Sequence, residues 1–238
     1  MMKVIEAHKI TKVYNADKVP VNALRGISFS VDRGEFTAIV GPSGCGKSTL
    51  LNIVGGLDNP TKGKITIEGN DLSNLKENKL IDFRLDKIGF VFQSYNLIPV
   101  LTARENIALI MELQGVGKRA RNDRAMYLLR AVGLEGKEDK RPTELSGGQQ
   151  QRVAVARALA SEPAFILADE PTANLDSVAT DNLLDIMAGI NKEKGTTFIF
   201  STHDQRVIDK ARRVIRLEDG LIVSDNNLVT NKAHEDRP

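Results

Sequence analysis

The stretch FTAIVGPSGCGKSTLLNIV, Phe36 to Val54, decides the fold. FTAIV is an apolar run of strand length, and the segment from Lys47 to Ile53 reads as a helix entered directly from the intervening glycine-rich turn. That turn, GPSGCGKST from Gly41 to Thr49, satisfies G-x-x-x-x-G-K-[ST], and a strand before it with a helix after it is the context that makes the pattern a phosphate-binding loop. Gly41, Gly44 and Gly46 let the backbone wrap closely round phosphate oxygens, so that N–H groups and the helix N-terminus face the anion. Lys47 is placed to reach β- and γ-phosphates, Ser48 to offer a hydroxyl to Mg²⁺, and Thr49 to contribute its N–H and hydroxyl near the α-phosphate. Pro42, Ser43 and Cys45 complete the nucleotide-lining loop at its variable positions. Cys45 reads as a tolerated small residue; the alternative is a redox-sensitive thiol, since a helix N-terminus lowers a thiol pKa.

Working outward, three more apolar strands end in polar residues. FILADEP, Phe165 to Pro171, stops at two acids. A strand ending there puts the Asp169 carboxylate at the C-terminal edge of the sheet, where the phosphate loop also emerges. Asp169 is the expected Mg²⁺ ligand, and Glu170 the expected general base or orienting group for the attacking water. Gln93 ends KIGFVFQ and could bind Mg²⁺ or that water. His203 follows FIFST and could donate to the γ-phosphate.

The rest of the chain supplies a frame. KVIEAHKI and GISFSV read as strands separated by the turn-prone NADKVP, and TKGKITIEGN as another strand. TARENIALIMEL has Thr102 and Glu105 in capping-box spacing, and RAMYLLRAVG closes at Gly133 as a helix C-terminus does. SVATDNLLDIMAGINKEKG predicts a helix capped by Ser177, and VIRLEDGLIV a hairpin turning at Asp219-Gly220. The expected fold is therefore α/β: a P-loop NTPase core with a mixed sheet, an N-terminal antiparallel β region and a helical lobe inserted at about 94–142. All of 1–238 reads as one domain, with 227–238 as a flexible tail. The basic cluster KRARNDR, Lys118 to Arg124, reads as a solvated helix face.

Composition narrows the class. With 33 basic and 31 acidic residues the net charge is +2, so nothing demands a nucleic-acid partner. The single cysteine cannot form an intramolecular disulfide and fits a reducing compartment. No signal-like apolar region opens the chain, and no stretch approaches the roughly 18 apolar residues of a membrane span, so direct membrane insertion is not expected.

LSGGQQQRVAVARAL, Leu145 to Leu159, is a second glycine-rich segment with no acid, histidine or metal ligand of its own. Ser146 and Gln149 have capping-box spacing, so Ser146 can cap a helix whose N-terminus offers N–H groups to a phosphate. Gly147 and Gly148 would keep that surface bare for close approach. With this segment in place the chain resembles the ATP-binding cassette (ABC) transporter ATPases over nearly its whole length. Tyr14, GPSGCGKS, Gln93, LSGGQ, FILADE, the NLD of Asn174 to Asp176 and the histidine of STHD stand in the family's order. Within the family, VNALRGISF, LLNIVGGLD and KIGFVFQSYNLIPVLTARENIAL look most like the lipoprotein-release and macrolide-efflux subgroup, and the absence of an added domain after the histidine strand agrees.

The resemblance implies roles that the residues alone do not. Tyr14 would stack on adenine, Asp176 would sit at a subunit boundary, and His203 would sense the γ-phosphate. Two copies would pair head to tail with ATP, the Ser146–Gln149 segment of each closing over nucleotide held by the other. The implied activity is ATP hydrolysis, with ATP and Mg²⁺, in a homodimer bound peripherally to an integral membrane permease at the cytoplasmic face of the inner membrane. The alternative is a soluble ABC ATPase serving a cell-envelope, ribosome or DNA complex; ribosome-type members carry two cassettes and chromosome-type members a long coiled coil, and neither feature is present. A P-loop kinase or GTPase has no use for LSGGQ.

Overall fold

The computed structural model describes residues 2–15 and 18–228. Long N-terminal strands β1 (Lys3–Tyr14) and β2 (Val21–Asp32) pair antiparallel, and β1 also pairs with β4 (Lys62–Ile67), which carries the short β5 (Asn70–Asp71). This makes a four-stranded antiparallel sheet in the order β2-β1-β4-β5. The second sheet has six strands in the order β10-β9-β3-β8-β7-β6. Its members are β3 (Phe36–Val40), β6 (Ile88–Val91), β7 (Phe165–Asp169), β8 (Thr197–Ser201), β9 (Arg213–Glu218) and β10 (Leu221–Asn227). All of its pairings are parallel except β9–β10, so the sheet is mixed, as the sequence predicts.

The six-stranded sheet is buried on both faces, which is why its central strands read as unbroken apolar runs. Phe165 and Leu167 face one core, with the α1 (Lys47–Val54) residues Leu50, Leu51 and Ile53 and the inner face of the antiparallel sheet. Ile166 and Ala168 face the other, with residues of α3 (Ala103–Leu113), α4 (Lys118–Ala131), α5 (Gly147–Ala158) and α6 (Ser177–Lys194). Fully burying a Phe side chain stabilises by about 1.5–3 kcal/mol. Phe36, Phe165, Phe198 and Phe200 are all under 2–3% exposed on the three central strands, so the edge that carries the site is well anchored.

Several local expectations are met and some are corrected. Thr102 and Ser146 each close a capping box, on α3 and α5 respectively. Gly133, at φ 68°, follows the end of α4. The Lys118–Arg124 cluster forms the first half of α4, with Arg121 and Arg124 paired to Glu112 and Glu162. The cap of α6 is Asp176, not Ser177: Oδ1 of Asp176 accepts from the Ala179 N–H at 2.8 Å, and Ser177 is the first helical residue. A carboxylate one residue earlier reaches the same orphan N–H groups and favours the positive end of the helix dipole. The hairpin turns at Asp219 and Gly220, both at positive φ. Of the expected tail, Asn227 belongs to β10 opposite Arg213, and the Leu228 N–H donates to Arg212 O, so pairing with β9 extends further than composition indicates. Residues 229–238 lie outside the described residues. Two helices carry no clear sequence signal, α2 (Glu77–Lys87), which has no fully buried residue, and the short α7 (Gln205–Lys210).

Candidate functional site

The site is built on the C-terminal ends of β3, β7 and β8. At the end of β3 the chain turns through Gly41, where a Cβ would lie 2.1 Å from Leu217 O of the neighbouring strand, so no other residue fits. Gly46, at φ 105°, serves as the N-cap of α1, and a Cβ there would meet Ala23 O at 2.5 Å. Lys47 is 9% exposed and donates from Nζ to Gly41 O at 2.8 Å and Pro42 O at 3.0 Å, which lays the ammonium along the loop. Around Gly44 the space is open, with nothing within 4 Å of a built Cβ. An ammonium held, among the described residues, by two main-chain carbonyls, beside an open bend and a helix N-terminus, fits phosphate oxygens.

Ser48 Oγ donates to Asp169 Oδ1 at 3.3 Å, joining the loop to the end of β7. A hydroxyl and a carboxylate are hard oxygen donors of the kind Mg²⁺ takes. One residue on, Glu170 adopts φ 45° and its N–H donates to Ser201 O at 2.8 Å. That twist turns its side chain toward the end of β8, where Oε1 lies 2.8 Å from His203 Nδ1. Glu170 is mostly covered while the His203 ring is 76% exposed, so the histidine presents its other nitrogen outward.

Tyr14 ends β1. Its hydroxyl donates to Asp58 Oδ2 at 2.7 Å, and Lys12 Nζ lies 4.8 Å from the ring centroid while pairing with Asp58 Oδ1. Partial burial and then the Asp58 bond raise the phenol's pKa, while the Thr49 hydroxyl beside it opposes the shift. Tyr14 therefore stands next to the start of α1. Partial burial pushes the Asp58 carboxyl up, but bonds from Lys12, Tyr14 and the Asn59 N–H outweigh it and hold Asp58 below the usual range. Asp58 was not legible as a partner of Tyr14, because a strand and a loop 44 residues apart make the contact, and Lys12 on the same strand joins them through its own bond to Asp58.

Gln93 lies exposed beyond β6, the edge strand beside β7. Among the described residues its carboxamide makes no hydrogen bond to Ser48, Asp169 or Glu170; it is the main-chain carbonyl that is held, accepting from Asn174 Nδ2 at 3.0 Å. Cys45 is 4% exposed within the core against the antiparallel sheet, which removes the accessibility a redox-sensitive thiol needs.

The Ser146–Gln149 segment stands apart. Ser146 is exposed at the N-cap of α5, its Oγ accepting from Gln149 N–H at 3.3 Å and its own N–H donating to Gln149 Oε1 at 3.0 Å. Among the described residues no hydrogen bond joins 145–149 to 41–49. Its glycines also have inward neighbours that the sequence does not reveal. A Cβ on Gly147 would meet Tyr95 Oη at 2.8 Å, and one on Gly148 would meet the Ala179 Cβ at 2.9 Å. Packing against the segment after β6 and the start of α6 therefore already requires glycine at both positions. Gln151, fully buried, extends this link by donating to Pro171 O at 2.7 Å, two residues past Asp169.

Between α2, β6 and α3 lies a groove of about 600 Å³ lined by Ile81, Leu85, Phe90, Phe92, Ile110 and Leu113. Arg157 at its edge donates to Tyr95 O and Asn96 O, and burial lowers its pKa.

Comparison with known proteins agrees with this architecture. Residues 24–173 match the family described as ABC transporter. An uncharacterized ABC transporter ATP-binding protein of Thermotoga maritima is 50% identical over 222 residues, covering 93% of this chain and 94% of the relative. The lipoprotein-releasing system ATP-binding protein LolD of Aquifex aeolicus is 45% identical, covering 94% and 98%. The macrolide export ATP-binding/permease protein MacB of Mannheimia succiniciproducens is also 45% identical, but this chain spans only 35% of its length. Among solved structures, the dimeric post-hydrolysis state of an ATP-binding cassette bound to ADP and Pi superposes with a TM-score of 0.86 at 41% identity, covering 94% of this chain and 98% of that one.

Proposed function

The chain belongs to the ABC transporter family and is an ATP-binding, ATP-hydrolysing subunit of that class; from that premise we propose that it drives a separate membrane permease of the export or lipoprotein-release type through ATP-dependent closure of a homodimer. The observation that carries this reading is the split of the site. Lys47, Ser48, Asp169, Glu170 and His203 stand at the ends of three adjacent strands, while among the described residues no hydrogen bond joins the exposed, capped N-terminus of α5 to them. A second copy placed head to tail completes the arrangement, with Ser146 and the α5 N–H groups over nucleotide phosphates. The dimeric relative bound to ADP and Pi supports that geometry.

In this reading Tyr14 carries the adenine. The loop from Gly41 to Thr49 wraps the phosphates, with Lys47 Nζ turning from its carbonyls to the β- and γ-oxygens. Ser48 and Asp169 would hold Mg²⁺, which when bound neutralises charge developing on the transferred phosphoryl group. Glu170 orients or deprotonates the attacking water, and His203 keeps the Glu170 carboxylate aimed while its outer nitrogen faces the γ-phosphate. Gln93 would bring its carboxamide to Mg²⁺ or the attacking water, its main-chain carbonyl held by Asn174, and Asp176, at the start of α6, would lie at the boundary with the second copy.

Among the described residues no helix is long and apolar enough to cross a membrane. In this reading the permease is a separate chain, and this subunit lies against it at the cytoplasmic face of the membrane as a peripheral protein. The apolar groove beside Gln93 suits a short permease segment. Relatives named for lipoprotein release and macrolide export favour transport over service to a ribosome or DNA complex. Affinity purification from detergent-extracted membranes should recover an integral permease with this chain. A preparation that stays free of membrane protein under conditions that retain other ABC complexes would refute the partner.

A further inference from the structure

We infer that Thr172 and Asp204 are positioning residues that hold Glu170 and His203 in register through a closed ring of contacts. The ring runs from Glu170 through Pro171 to Thr172, whose hydroxyl donates to Asp204 Oδ2 at 3.0 Å. It continues one residue back to His203, whose Nδ1 returns to Glu170 Oε1 at 2.8 Å. Two short covalent arms and two hydrogen bonds therefore enclose the pair that faces the γ-phosphate. The inference rests on the reading of Glu170 and His203 given above.

The ring is fastened on several sides. Thr172 is 2% exposed, and its hydroxyl has the Asp204 carboxylate as its partner. Arg206 grips the same carboxylate with Nε to Oδ1 at 3.0 Å and a terminal nitrogen to Oδ2 at 2.9 Å, and its main-chain N–H donates to Oδ1 as the cap of α7. The Asp204 N–H donates to Thr202 Oγ1 at 3.0 Å, and the Thr202 N–H to Ile39 O at 3.1 Å, two residues before Gly41. The carboxylate is thus an anchored post tied to the strand that feeds the phosphate loop. Among the described residues the Thr172 hydroxyl is the hydrogen bond that joins that post to the segment carrying Glu170. Removing its hydroxyl opens the ring and alters none of the residues assigned above to phosphate, adenine or Mg²⁺. A group that acts only by aiming another group changes turnover without changing ground-state affinity.

The test is steady-state ATPase kinetics of the full chain with Thr172→Val, Thr172→Ser and Glu170→Gln, each with an ATP-binding titration. Thr172→Val should lower kcat by about tenfold with KM for ATP within about twofold, and Thr172→Ser, which keeps the hydroxyl, should return kcat to within about threefold. Adding Asp204→Ala to Thr172→Val should cost no more than the larger single effect, because both break one contact. A Thr172→Val kcat within about twofold of the parent, or equal loss in the Val and Ser variants, overturns the inference. A Thr172→Val protein that no longer binds ATP is replaced by Thr172→Ala, which only removes atoms and is judged by the same comparison. If Glu170→Gln still turns over, the reading of Glu170 fails first; if it is inactive and Thr172→Val is normal, the ring alone fails.

Discussion

Glu170 Oε1 and His203 Nδ1 lie 2.8 Å apart across the ends of neighbouring parallel strands, although 33 residues separate them in the chain. The contact exists because Asp169 and Ser201 are in register on β7 and β8, and because the Glu170 backbone turns to φ 45° one residue past the strand. It gives the carboxylate a fixed direction before nucleotide arrives.

From this geometry Glu170→Gln should bind ATP as the parent does yet lose turnover by about 10²–10⁴-fold, the range for removing a general base. Phosphate release measures the loss. Size-exclusion chromatography with light scattering in ATP should show a stable dimer, and a monomer with normal hydrolysis would overturn both the role and the pairing.

Ser146→Phe removes the α5 cap, a loss of about 1 kcal/mol, and fills the surface expected to meet the second copy. Binding of a fluorescent ATP analogue to the monomer should be nearly unchanged, while turnover and dimer formation disappear. Retained turnover would show that the exposed end of α5 has no part in the site.

Cys45 belongs to the same buried core as Leu50 and is 4% exposed. The folded protein should therefore resist N-ethylmaleimide over the time in which the urea-unfolded chain is fully labelled, as mass spectrometry would show. Cys45→Ser should bind ATP like the parent, and rapid native labelling would reopen the case for a redox-sensitive thiol.

The bidentate Arg206 contact, helped by its N–H and the Thr172 hydroxyl and opposed by partial burial, holds the Asp204 carboxyl below the usual range. A depressed native pKa means that Asp204 stabilises the fold above the unfolded-state value near about 3.9 and loses that contribution as pH falls through the native value. Asp204→Asn should thus be less stable at neutral pH, and the gap in urea midpoints should narrow progressively below about pH 4. A gap independent of pH would place the stabilisation elsewhere.

What was legible in the sequence is what lies on contiguous residues. The strand-loop-helix of Phe36 to Val54, the acids closing FILADE, and the capping boxes at Thr102 and Ser146 each carry their signal within a few positions, because turn geometry and capping are local physics. The order of these motifs was enough to give the family, the fold class and the residues to be gathered at one edge.

Tertiary structure decided the rest, since it depends on segments that meet only after folding. Asp176 rather than Ser177 caps α6, and either would satisfy the local pattern; the path of the chain leaving β7 selects between them. Asp58 and Lys12 anchor Tyr14, Asn174 holds the Gln93 carbonyl, and Tyr95 and Ala179 require Gly147 and Gly148 to be bare. Composition reads the chain after the last hairpin as loose, whereas pairing with β9 carries order through Leu228. The sequence by itself determined which groups exist and at which strand ends they emerge. The register of parallel strands, set by side-chain packing in the two cores on either face of the sheet, decided which of those groups touch.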